Sequence, residues 1–151
     1  MTYPAGWGRV TQDRGLGMGD PVMILSLATF ALRPDDAAFP IPRHGFDEDE
    51  VFLTIQERGL DPRSDWRTFP PRPGRFRFEA GQGSVPADYL RRGAGIRFRD
   101  HWFNFTDAGH HFHVQVGIGG SAPERAGEQA YRILDSLRFD PAVKPDWPSA
   151  G

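Results

Sequence analysis

Apolar and polar positions change period along this chain. Between residues 95 and 119 they alternate with period two, the mark of strands whose successive side chains point to opposite faces. Residues 95–104, the turn Asp107-Ala108-Gly109 and residues 110–119 read as one long hairpin. A three-residue loop with Gly109 in the left-handed conformation sets Thr106 opposite His110, Asn104 opposite Phe112 and Trp102 opposite Val114. One face is then Ile96, Phe98, Trp102, Phe112, Val114, Val116 and Ile118, interrupted by Asp100 and Asn104. The other carries Arg97, Arg99, His101, Phe103, Phe105, His111, His113 and Gln115. Beyond Gly119 the period lengthens: Ala126, Ala130, Ile133, Leu134 and Leu137 form one apolar stripe, which predicts a helix over 121–137 docked on the sheet. Ser121-Ala122-Pro123-Glu124 fits a capping box, with the Ser121 hydroxyl accepting a first-turn N–H.

Upstream, residues 22–32 are apolar on both faces, as in a strand covered on two sides and central in a sheet. Residues 51–55 follow the acidic run Asp47-Glu48-Asp49-Glu50 and read as a second strand. Arg75-Phe76-Arg77-Phe78-Glu79 alternates charge and aromatic, which predicts a third, peripheral strand burying Phe76 and Phe78. Residues 61–66 fit a helical turn with Pro62 at its start, and 137–139 a short terminal strand. Proline-rich patches at 39–42 and 70–73 separate elements as loops. The expected fold is α+β: a twisted, mainly antiparallel sheet of about five or six strands with a C-terminal helix on one face, forming one domain over 1–140. A proline-rich tail covers 141–151.

The 151 residues are enough for a core without staples, and the chain has no cysteine for disulfides, thiolate metal sites or thiol nucleophiles. Eighteen basic against twenty acidic side chains give a net charge of -2, which argues against nucleic acid as a partner. The longest apolar run, 22–32, falls well short of the ~20 residues that span a bilayer. The N-terminus lacks a basic stretch followed by an apolar one, so the expected location is cytoplasmic, or the cell envelope if a leader is removed.

Candidate chemistry is sparse. His111 and His113, two apart on a strand, place their imidazoles ~7 Å apart on one face, near enough to share a divalent ion. In the register above His101 lies diagonally across from His113, completing a possible three-histidine site for a metal-binding protein or metal-dependent hydrolase. The plainer reading, which we prefer, is partly exposed sheet residues packing on Phe103 and Phe105. His110 points the other way, and His44 lies in a loop of underivable position. The run 47–50 lacks the spacing of a calcium loop, and the glycines of Arg14-Gly15-Leu16-Gly17-Met18-Gly19-Asp20 precede a strand instead of opening a helix. No serine sits in a Gly-x-Ser-x-Gly elbow. Arg75, Arg77, Arg97 and Arg99, with Phe103 and Phe105, could instead make a basic, partly aromatic surface for an acidic partner protein.

An opening of Tyr3-Pro4-x-x-Trp7, an early apolar strand, an extended hairpin and the close Ala130-Tyr131-Arg132-Ile133-Leu134-Asp135-Ser136-Leu137-Arg138-Phe139 resemble the PsbP-like α/β/α sandwich family. The strand ending Val114-Gln115-Val116-Gly117-Ile118-Gly119 before such a helix is also similar to small actinobacterial domains. The resemblance implies a scaffold, assembly factor or binding module, and carries over no catalytic residue. The expectation is therefore a non-enzymatic protein-binding or assembly module, with no required cofactor and a divalent metal as the alternative. Oligomeric state is not legible.

Overall fold

The computed structural model describes residues 4–13, 21–34, 47–59, 68–77 and 98–139. Among these residues five strands, β1 (Gly8–Asp13), β2 (Met23–Ala28), β3 (Val51–Arg58), β4 (Phe98–Asp107) and β5 (His110–Gly119), precede one helix, α1 (Glu124–Ser136). The strands form one sheet in the order β1-β2-β3-β5-β4, every neighbouring pair antiparallel. This is the expected α+β architecture of an antiparallel sheet with a C-terminal helix. β1 was not foreseen, because Gly8-Arg9-Val10-Thr11-Gln12-Asp13 has little apolar alternation to announce it.

The apolar runs became the inner strands, where both faces are covered. Leu25 and Leu27, Val51, Leu53 and Ile55, and Phe112, Val114, Val116 and Ile118 point one way into the main core. There they meet the helix stripe Ala126, Ala130, Ile133 and Leu134, with Leu137 just beyond. Trp7 closes the far side, its Nε1 donating to Gln129 Oε1 at 3.4 Å. Gly127 lets the helix sit close on Ile118, whose Cδ1 lies 3.1 Å from where a Cβ would stand.

The hairpin corrects the expected register. Its loop is two residues, Ala108 and Gly109, both at positive φ (50° and 86°), the requirement of a type I′ turn whose twist matches the flanking strands. Asp107 therefore pairs with His110, Phe105 with Phe112, Phe103 with Val114 and His101 with Val116. A one-residue slip moves every side chain of β4 to the opposite face. Phe103, Phe105 and His101 join the helix side, while Asp100, Trp102, Asn104 and Thr106 align with His111, His113 and Gln115. The polar residues that interrupted an apolar face thus belong to a polar face.

The capping box does not form. Pro123 is the N-cap residue with no side-chain cap bond, and Ser121 Oγ instead approaches Glu48 Oε2 at 3.4 Å while its N–H donates to the Glu48 carbonyl. Pro123 supplies φ of -56° without an N–H, so the helix starts two residues later than a serine cap would place it.

Residues 75–77 are not a strand, and 78–79 lie outside the described residues. Phe76 is nonetheless buried, packing edge-on against Phe103 at 5.5 Å and Phe105 at 5.2 Å. Residues 137–139 add no strand; Phe139 stacks on Phe112 at 4.1 Å. The glycine run 14–20, the patch 39–42, His44, the helical turn 61–66, Arg97 and the tail 141–151 also lie outside the described residues. Among the described residues no helix is long and apolar enough to cross a membrane.

Candidate functional site

Among the described strands β4 is the last of the sheet, and its outer side is where the described structure offers a site. The Asp107–His110 pair closes the two-residue turn, so Asp107, Phe105 and Phe103 direct their backbone groups to β5. Thr106, Asn104 and Trp102 direct theirs outward. Thr106 shows this: its N–H donates to the Pro70 carbonyl at 2.7 Å, and its carbonyl accepts from Arg72 N–H at 2.9 Å. This makes a parallel bridge between Pro71 and Thr106.

Arg72 fixes the bridging segment. Its Nη1 donates to Asp107 Oδ2 at 2.8 Å and to the Leu137 carbonyl at 2.9 Å, and Nη2 donates to the Leu134 carbonyl at 2.7 Å. One guanidinium thus adds a donor to carbonyls at the end of α1, where the helix dipole favours a cation. α1 has no basic residue in its last turn, and the charge there comes from this distant arginine together with Arg138, whose Nη1 donates to the Asp135 and Leu137 carbonyls at 2.9 and 2.6 Å. Phe76 N–H donates to Asp135 Oδ1 at 2.9 Å, a second tie to the same helix end.

Beyond the bridge Pro73 cannot donate and the chain bends at Gly74, leaving β4. A groove of about 460 Å³ is lined by Thr68, Pro70, Pro71, Pro73, Arg75, Phe76 and Arg77 on one side and Trp102, Phe103 and Asn104 on the other. Arg75 and Arg77 are exposed, and the ion pairs among the described residues involve neither.

Two groove side chains are held from behind. Trp102 Nε1 donates to Asp100 Oδ2 at 2.6 Å, and Gln115 Nε2 donates to both oxygens of the same carboxylate at 3.0 and 2.9 Å. Burial raises the Asp100 pKa above its ordinary value, and the bonds from Trp102, Gln115 and the His101 backbone hold it back. Asn104 Oδ1 lies 2.7 Å from His113 Nδ1; an amide oxygen only accepts, so the ring donates through Nδ1. His113 meets the Trp102 ring edge-on at 5.3 Å. Behind them the polar face runs inward through Gln115, Thr54 and Ser26, paired across β5, β3 and β2 and all at most 3% exposed.

The structure divides the expected site residues. His111 and His113 share the polar face, but His101 is on the helix side, bonded through Nδ1 to the Tyr131 hydroxyl. Burial first, and Arg99 second, lower the His101 pKa to about 4, while burial raises that of Tyr131. A three-histidine site of His101, His111 and His113 is therefore ruled out by the sheet lying between them. His111 Nδ1 is 3.0 Å from Thr106 Oγ1, and His110 Nδ1 is 2.6 Å from Glu57 Oε1. Among the described residues no three His, Asp or Glu side chains gather as metal ligands.

Of the expected partner surface, Arg75, Arg77 and Phe103 come together at the groove. Phe105 is fully buried in the core and cannot contact a partner, and Arg99 is exposed but not among the groove residues. Trp102, Asn104 and Arg72 were missed. The signal was available for the first two: Trp102, Asn104 and Thr106 fall opposite Gln115, His113 and His111 once the loop is two residues long. Compared with family models, curated proteins and solved structures, the chain finds no match in any of the three.

Proposed function

We propose that this chain is a non-enzymatic protein-binding or assembly module that takes its partner in the groove beside β4. The observation that carries the reading is the groove itself, about 460 Å³, lined by the exposed Arg75 and Arg77 and by Trp102, Phe103 and Asn104 of β4. Arginine with aromatic residues is the composition of binding surfaces. The side chains nearest a partner are already fixed by Asp100 and His113, so little ordering opposes association. Titratable groups in contact here, Asp100 and His113, are engaged in positioning Trp102 and Asn104. The resemblance to the PsbP-like family points toward the same kind of role, and membership of that family is part of this proposal.

The test is photo-crosslinking from a light-activated residue at Thr68, on the groove rim, against a control at Arg132, whose side chain is 79% exposed on α1. A discrete adduct at Thr68 and none at Arg132 is expected. Equal capture at both positions, or turnover of a substrate abolished by groove substitutions, would overturn the reading.

A further inference from the structure

Resting on that reading, we infer that the partner enters the groove with a short protruding tip that carries a carboxylate beside an aromatic side chain, the ring packing on Trp102 and the carboxylate meeting Arg75 and Arg77. Size sets the kind of contact. A concavity of about 460 Å³ is at the scale that takes a small molecule or a few side chains, so a projecting tip fills it where a flat protein surface would pass over it. Bonds made behind the groove decide what its lining can offer. Trp102 has a single donor, its Nε1–H, and spends it on Asp100 Oδ2 at 2.6 Å, so the half-buried indole has only its ring left for a guest. His113 braces that ring edge-on at 5.3 Å, and a guest ring can pair with it in an offset or edge-on arrangement. Asn104 turns its Oδ1 to His113 at 2.7 Å, which leaves the Nδ2 end of the amide, a donor, directed away from that imidazole.

Charge selects the polar half of the tip. Arg75 and Arg77 are exposed, and no carboxylate stands among the described residues of the lining. The whole chain carries a net charge of -2, so this local excess of cations runs against its average. Guanidinium groups recognise carboxylates bidentately, and the Asn104 amide can donate to the same group. A basic tip meets like charge. An acidic side chain alone leaves the indole uncovered, and an aromatic one alone leaves the arginines to water. The lining is therefore complementary to the two features side by side.

The experiment follows the fluorine NMR signal of Trp102 in the intact protein labelled with 5-fluorotryptophan, assigned by its loss in Trp102→Phe. The probe is a capped Gly-Ser peptide of ten residues with Glu-Phe at its centre. Saturable movement of the Trp102 signal is expected, with a Kd of roughly 0.1–1 mM that rises with salt. Gln in place of Glu should weaken binding roughly fivefold, as for loss of an exposed ion pair, and Ala in place of Phe roughly tenfold, as for loss of a ring contact. In the Arg75→Glu, Arg77→Glu double variant the preference should reverse, a Lys-Phe peptide binding better than Glu-Phe. Because the peptide changes are compared on wild type, misfolding of the variant cannot mimic the result. A Trp102 signal unmoved by millimolar Glu-Phe peptide, or equal binding of the Gln or the Ala peptide, overturns the inference. Tighter binding of free 3-phenylpropionate than of the peptide would make a small molecule the occupant and also overturns it. If Thr68 crosslinks a partner that the Glu-Phe peptide cannot displace, the inference falls while the binding-module reading stands; absence of the Thr68 adduct removes both.

Discussion

Replacing Arg72 with alanine removes one side chain that joins three elements: the segment 70–77, the end of β4 and the C-terminus of α1. The guanidinium, with side-chain exposure of 17%, donates to carbonyls of Leu134 and Leu137 within 2.9 Å and to Asp107 at 2.8 Å. Hydrogen bonds to a charged group contribute ~1.5–3 kcal/mol each, and a cation at a helix C-terminus ~0.3–1 kcal/mol, but the bonds share one side chain and do not add. The Leu134 carbonyl keeps its bond from Leu137 N–H, that of Leu137 keeps its bond from Arg138, and Asp107 is 30% exposed, so only part of the loss remains. We expect Arg72→Ala to cost about 2–3 kcal/mol, which in a chain of this size lowers Tm by roughly 5–10 °C. The assay is urea unfolding followed by far-UV circular dichroism, with an unchanged m-value showing that the same surface unfolds. Arg72→Lys should recover at most about half, since an ammonium cannot span the carbonyls and the carboxylate together. Asp107→Asn should cost no more than about 1 kcal/mol, as for an exposed ion pair. An Arg72→Ala protein within about 0.5 kcal/mol of wild type, or a lysine variant equal to arginine, would refute this account of how the groove wall is anchored.

Ala108→Asn should stabilise by roughly 0.5–1 kcal/mol, because asparagine tolerates the positive φ that alanine holds at a cost; destabilisation in thermal melts would contradict the type I′ turn. Leu134→Ala should cost roughly 2–5 kcal/mol in denaturant unfolding, since the side chain is fully buried under β3 and β5, and an unchanged midpoint would deny that α1 docks there. His101 has its pKa lowered to about 4, so between that value and its ordinary 6.5 the unfolded chain binds a proton that the folded chain does not. Stability should therefore fall as pH drops through this window, by at most ~3 kcal/mol, and His101→Gln should flatten the slope. The raised pKa of Asp100 acts with opposite sign, favouring the folded state as pH falls towards 3.8, so the comparison is made in an Asp100→Asn background. A slope unchanged by His101→Gln would remove His101 as its source.

Much of the fold was legible because period and length both spoke clearly. The stripe Ala126, Ala130, Ile133, Leu134 and Leu137 identified the helix and its buried side, and the two-faced apolar runs identified β2 and β3. Reading failed where one residue decides the outcome. Asp107 can belong to a three-residue loop or close a two-residue one, and that choice moved His101 under the helix and brought Trp102 and Asn104 to the groove. Charge alternation at 75–77 looked like a strand, but Phe76 reaches the core from a bent segment held by Arg72 and Asp135. Neither contact has a local sequence signature, since Arg72 meets the end of a helix more than sixty residues away. The candidate site was half legible for the same reason: its arginines follow one another in sequence, while its floor comes from a register that only the packed hairpin fixes.

Hydrogen exchange resolved at single amides of β4 tests the central claim most directly, because the two-residue turn decides which N–H groups bond to β5 and so which side chains line the groove. Phe103 and Phe105 N–H groups should exchange slowly through their bonds to β5 and Thr106 through Pro70, while Asn104 and Trp102, which point away from β5, exchange faster. The reverse parity would contradict it.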